Sequence, residues 1–347
     1  MSTDERDIGD GDRNGASRLL ARAAAALSRA DRGLAQTIDD FFLPEDARLD
    51  DRTRATLTVT LAAMVAAVEG DLRRRAARSL AAAGEGVAVL DRLTGAGLLR
   101  DPGLMRELIA RTRLDLLADA LTTAAPDDAG APSLLARLTA SGDGQVANAA
   151  LTLMATEGRR RGFLDTGRLS HTELPAELHH RLVWWVAAAI LEQLADGDAG
   201  RVMADAGLHA LGGHDESDRA ETAAVRLATT IDPQPAELPA LLTHALGDRN
   251  LSLFVALLAF ALRMDFAVAR QLVVAGGDPL WLALRAIDLD RATIARIGLA
   301  LSNDVDAFAD QLDAIVAVSP ADARAALSSL ALPADLRAAI AALAAAR

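Results

Sequence analysis

The apolar residues of this chain are small, aliphatic and set at helical spacing. Of its 347 residues 51% are hydrophobic, yet only 3% are aromatic. Alanine and leucine dominate that share, and both are strong helix formers, while the β-branched and aromatic residues that favour strands are scarce. Such a composition builds a core by packing helix on helix. The clearest stripe is Leu57, Leu61, Met64, Val65 and Val68, whose spacing puts all five on one face of an α-helix. The fold class expected is all-α.

Punctuation along the chain divides it. Residues 1–16 are acidic, contain glycine and lack periodicity, so a disordered tail is expected there. An N-terminal helical region is expected over 17–125, a linker at Pro126–Pro132, and a helical-repeat region over 133–347. Asp50 or Asp51 is the expected cap of the first long helix, with Gly70 its stop and a second helix from 71 to about 83. Further helices are expected at 102–111, 113–123, 144–158, 175–195 and onward to 333–346. Asp101-Pro102, Asp278-Pro279 and Ser319-Pro320 each read as a cap followed by proline at the first helical position. Ser319 with Asp322 reads as a capping box.

Asp248-Arg249 and Asp290-Arg291 open two similar apolar helices, which end near Asp265 and Asp304. A recurrence of about 40 residues made of helix pairs is the signature of HEAT-type repeats, in which each pair buries its apolar face only against its neighbours. A HEAT-like helical repeat, an α-solenoid, is therefore expected. The first half is either a diverged repeat or a separate N-terminal helical bundle.

Residues 38–160 carry an aromatic start, Asp40-Phe41-Phe42-Leu43, and the long amphipathic helix with Val68-Glu69. They continue with the Arg/Ala/Leu stretch Arg73–Ala82 and with Val87-Ala88-Val89-Leu90. In this the chain resembles a family of helical, HEAT-like bacterial proteins known as domain of unknown function two-three-three-six. The resemblance implies a helical-repeat interaction protein and transfers no site residue.

Charge and missing residue types exclude several chemistries. All 36 basic residues are arginine, against 48 acidic ones, for a net charge of −12. Without cysteine there is no disulfide, thiolate nucleophile or zinc–thiolate site, and without lysine no Schiff base or P-loop. No dinucleotide fingerprint or nucleophile elbow is present either. The expectation is a cytoplasmic protein with no catalytic activity, no cofactor and no metal. The longest uninterrupted apolar runs, Leu182–Leu191 and Leu251–Leu262, fall short of the ~20 residues that span a bilayer. Nucleic acid is an unfavourable partner for so acidic a chain, and a HEAT-like nucleic-acid binder is the alternative carried by analogy alone.

Residues 51–114 are the exception to the acidic balance, with 11 arginines against 7 acids. Arg73, Arg74, Arg75 and Arg78 cluster there, near Arg106, Arg111 and Arg113. Guanidinium forks grip carboxylates, so this face could dock an acidic protein partner; a solvated helix face accounts for the same residues. A second triplet, Arg159-Arg160-Arg161, is expected to follow a helix end at Gly158. His179-His180-Arg181 precedes Trp184-Trp185. His180, Arg181 and Trp184 form a candidate binding patch, with Arg181 over an indole ring in cation–π geometry; a packed helix start explains them equally. His209, His214, Asp215 and Glu216 could ligate a divalent metal but match no metal motif, and Asp215 is more simply a cap.

Overall fold

The computed structural model describes residues 15, 18–23, 38, 49–76, 88–121, 132–166, 169, 173–194, 198–302 and 304–345. The described residues are all-helical, without a strand. In chain order the helices are α1 (Asp51–Ala76), α2 (Val89–Gly95), α3 (Pro102–Ala120), α4 (Leu134–Thr139), α5 (Gly144–Thr166), α6 (Ala176–Leu191), α7 (Ala199–Gly212) and α8 (Ala220–Ile231). They continue with α9 (Leu238–Gly247), α10 (Leu251–Leu262), α11 (Phe266–Ala275), α12 (Gly277–Ala286), α13 (Arg291–Leu301), α14 (Val305–Ala317), α15 (Pro320–Leu327) and α16 (Ala334–Ala345). The segments expected to be a disordered tail (1–16) and a linker (126–132), and Arg78, lie outside the described residues, apart from Gly15 and Pro132.

Side-chain caps start many of these helices, as the sequence indicates. Asp50 accepts from the Thr53 amide at 2.8 Å and its hydroxyl at 2.6 Å. Both bonds hold the Asp50 carboxyl below its usual range. Asp290 and Thr293 repeat the arrangement at 2.9 and 2.6 Å. Asp101 caps α3 through the Leu104 amide. Ser319 accepts from the Asp322 amide at 3.1 Å and so caps α15, while the Asp322 carboxylate takes the Ser319 hydroxyl at 2.7 Å rather than the Ser319 amide that a capping box engages.

Elsewhere the elements run longer than the punctuation suggests. Gly70 does not stop α1, which continues for 26 residues to Ala76. Glycine costs a helix only ~1 kcal/mol, and the buried stripe continues beyond it through Leu72 and Ala76. The expected pair 102–111 and 113–123 is one helix, α3. Helix α5 passes through Gly158 to Thr166. Helix α12 starts at Gly277, so Asp278 sits in its first turn, where it pairs with Arg22 at 2.9 Å. By length and composition α1 could cross a membrane, with 44% of its most apolar window buried. Polar residues interrupt its apolar stretch, so no unbroken apolar run marks it in the sequence.

The chain divides into two compact units, a first of residues 1–33, 114–151 and 224–347 and a second of 34–113 and 152–223. In the second unit α1 packs against α6 and α7, and α2 against α6. The core there is aliphatic, with Leu57, Met64, Leu72, Leu108, Leu182 and Val186 sealed from solvent. Trp184 and Trp185 are half-buried against this core rather than inside it. The Trp184 ring lies so close to Gly207 that a β-carbon there would stand 2.8 Å from it.

In the first unit consecutive helices from α9 to α12 pack on one another, but α12 packs most extensively against α15. Residues Pro279 to Ala286 are all buried. The two segments aligned as a repeat differ in role. Asp290 caps its own helix, whereas Asp248 accepts from the Leu134 amide, leaving Asn250 to cap α10.

Candidate functional site

The arginine face of α1 is met by acids of the same helix. Arg73 donates to Glu69 at 2.8 Å and to Gln193 at 3.2 Å, and Arg75 donates to Asp71 at 2.8 Å. Arg74 extends furthest, 71% exposed, 3.4 Å from Asp71. Arg106 and Arg113 are exposed, but Arg111 is buried. The triplet 159–161 splits likewise: Arg160 is buried in mid-helix and pairs with Glu221, so it is no helix-end charge.

The aromatic patch is also rearranged. Arg181 is turned to Asp101, 2.9 Å away, and is engaged by that carboxylate rather than by an indole. The Trp184 Nε1–H donates to His180 Nε2 at 3.1 Å, which fixes that nitrogen as an acceptor. His179 is buried and stacks on His214 with ring centroids 4.0 Å apart. Burial first, and then the neighbouring His214, push the His179 pKa down to about 4.

The four residues weighed as metal ligands serve separate local contacts. His209 Nδ1 lies 2.7 Å from the Asp205 carbonyl. His214 Nε2 donates to the Leu174 carbonyl at 2.9 Å. Asp215 caps Ser217, and Glu216 accepts from the Ala176 amide at 2.6 Å. Among the described residues no group of histidines and carboxylates has metal-site geometry.

Two constellations emerge that the sequence did not show. One is a buried charge cluster in the second unit. Arg111 donates to Glu173 at 2.6 Å, and both are nearly sealed, at 4% and 8% side-chain exposure. Arg219 lies 3.4 Å from Glu107 and 3.7 Å from Glu221, and its Nε donates to the Glu173 carbonyl. Glu173 is strained, with φ 45°, and desolvation raises its carboxyl pKa against the pull of Arg111 and Arg160. These ties fasten 173–176 to 214–219, which is a structural task.

The other is an open groove of about 910 Å³ in the first unit. Its apolar surface comes from Leu238, Phe260, Met264, Phe266 and Ile287, and its polar surface from Asp232, Arg263, Asp265, Asp288 and Arg324. Three helices end at or next to its lining, α8 at Ile231, α10 at Leu262 and α12 at Ala286. Just beyond these ends stand Asp232, Arg263 and Asp288, each in the left-handed region with φ 46°, 53° and 59°. Glycine is the residue that fits such helix ends without cost. The turns are held by backbone bonds, Met264 N to Ala259 O at 3.0 Å and Leu289 N to Leu284 O at 3.3 Å. Three of the five non-glycine positive-φ residues among the described ones therefore line one groove.

Helix C-termini carry partial negative charge from their outward carbonyls. The starts of α9 and α11, at Leu238 and Phe266, stand in the same lining with the opposite partial charge, and Asp288 lies 3.8 Å from Arg285, so the charges there largely balance. Of the two arginines there, Arg324 commits its Nε to the Ala286 carbonyl at 2.8 Å. The lining thus joins half-buried aromatic and aliphatic side chains to exposed charged ones.

No family model, curated protein or solved structure matches the chain. The resemblance noted from sequence accordingly contributes no residue to this site. The groove residues were missed because no motif marks them. The available signal was Asp or Arg where a helix end calls for glycine, at Arg263-Met264-Asp265 and Asp288-Leu289-Asp290.

Proposed function

We propose that this chain is an interaction protein, a helical scaffold of repeat type, that acts by binding a partner in the groove of its first unit. The observation that carries the reading is the placement of Asp232, Arg263 and Asp288. Each holds a strained backbone conformation in the lining of one cleft, where glycine would serve the fold better. The recurring turn, a left-handed residue, an apolar one and then Asp, supports the repeat: it ends one helix and starts the next at both 263–265 and 288–290. The arginine face is the weaker docking site, because an acidic partner there would compete with Glu69 and Asp71.

A photo-crosslinking residue in place of Phe266, inside the groove, tests this in the full chain. One predominant protein adduct is expected, absent when the same group replaces Leu299, which is 55% exposed and outside the groove lining. The same adducts from both positions would remove the groove from the account.

A further inference from the structure

Arginines bracket the apolar stretch of α1, with Arg52 and Arg54 before it and Arg73, Arg74 and Arg75 after it. Ala55–Val68 carries no charge, which is 14 residues or about 21 Å of helix, short of the ~30 Å hydrocarbon core of a bilayer. Glu69 and Asp71 stand at its end, each 2.8 Å from an arginine, Arg73 and Arg75 respectively. Proton uptake by both acids carries the uncharged stretch on to Leu72. That is 18 residues or about 27 Å, enough for a bilayer, with three arginines left for the headgroups. Thr56 and Thr58 already donate their hydroxyls to the Arg52 and Arg54 carbonyls at 2.9 Å, so they bring no unmet polar group into lipid.

The apolar stripe of α1 is packed against α6 and α7. Those two helices meet at a stack of imidazoles. His179 of α6 is buried, and its ring lies 4.0 Å from that of His214, just past the end of α7. Burial first, then His214 and His180, oppose a proton on His179, while the Ala210 carbonyl and Asp71 of α1 favour one. Arg75 of α1 stands by Gly213, next to His214. A proton on each ring sets two like charges face to face in a buried seam, and parting the rings relieves them. His179 takes its proton at about pH 4 with the seam closed and near 6.5 with it open, so opening becomes easier as pH falls through that window. Glu173 works the other way: burial raises its carboxyl, so its proton uptake favours the closed seam.

From the helix and the stack together we infer that α1 is an acid-released membrane helix, held on α6 and α7 at neutral pH and transferred into an anionic lipid bilayer when the histidine stack opens. Anionic lipid is the fitting surface. A chain of net charge −12 is repelled from it at neutral pH and loses that repulsion as carboxylates take up protons, while the arginines flanking α1 stay charged. The release involves the second unit alone and is independent of the groove.

The chain has no cysteine, so Val59→Cys, at a position 52% exposed on α1, carries a single environment-sensitive dye in the full chain. The labelled protein is mixed with vesicles of equal parts phosphatidylcholine and phosphatidylglycerol at neutral pH and at about pH 4. In acid the dye emission should shift to the blue, with quenchers on the acyl chains acting more strongly than quenchers on the headgroups; at neutral pH neither effect is expected. Adding Ala66→Arg should abolish the acyl-chain quenching, since Ala66 is exposed in the folded chain but lies within the stretch that enters the bilayer. Adding His179→Phe, which keeps a ring in the stack without the charge, should move the onset to lower pH. The inference is overturned by no blue shift in acid, by headgroup quenching that exceeds acyl-chain quenching, or by acyl-chain quenching that is present at neutral pH or survives Ala66→Arg. An equal blue shift in acid without vesicles assigns the change to self-association and overturns it as well. An onset unmoved by His179→Phe does the same by removing the trigger.

Discussion

The ring of Phe308 presses against Gly298 so closely that a β-carbon at that position would overlap it, and Trp281 backs the same ring at 4.7 Å. Gly298→Ala should destabilise the protein by about 1–3 kcal/mol through overpacking, and Phe308→Leu in the same chain should recover part of the loss. Urea midpoints of the two variants measure this. Nothing in the sequence distinguishes Gly298 or Gly207 from a weak helix residue, because the reason for each lies on another helix. The buried arginines are similarly hidden. Arg111 and Arg160 sit in runs that look like surface charge, and only the fold shows them sealed. Removing one partner of a buried pair strands the other, so Arg111→Met should cost about 3 kcal/mol or more. Burial already raises the Glu173 carboxyl pKa, and losing Arg111 would raise it further. The deficit of Arg111→Met should then grow as pH rises through the Glu173 range, which chemical denaturation across pH would show.

Caps and proline positions were the most legible features of the elements, because their bonds are local. Asp50, Asp101 and Ser319 act as read and Asp278 does not; at the further cap Asp290, Asp290→Ala should cost about 1 kcal/mol. Helix ends read from glycine alone failed at Gly70 and Gly158, where packing carries the helix onward. Some ends are held by arginine across the fold. Arg285 donates to the Leu289 carbonyl at 2.9 Å and to the Val318 carbonyl at 3.0 Å. A lysine ammonium lacks that planar fork, so Arg285→Lys should lower the melting midpoint although charge is kept. The start of α6 is sensitive to acid. His179 is held neutral with a pKa of about 4, whereas the unfolded chain takes up a proton near 6.5. Its contribution is complete above pH 6.5 and is lost as pH falls towards 4, by no more than about 3 kcal/mol. His179→Leu should flatten stability against pH across that window.

The all-helical class was legible across the whole molecule because alanine and leucine leave no other way to build a core. Which helices meet was not, since α12 and α15 pair across two intervening helices without any shared motif. A net charge of −12 opposes compactness. Surface ion pairs return little, so screening the repulsion should dominate. The thermal midpoint should therefore rise between about 0.01 M and 0.2 M sodium chloride, by calorimetry. The three left-handed helix ends have a consequence for how such a chain diversifies. Main-chain bonds close the turns at Met264 and Leu289, so the identity of the side chain one residue earlier is open to exchange. If the cleft binds a partner, exchange among residues that tolerate a left-handed backbone would alter the cleft wall while the turn is kept, so that descendants of one gene could diverge there by single codons.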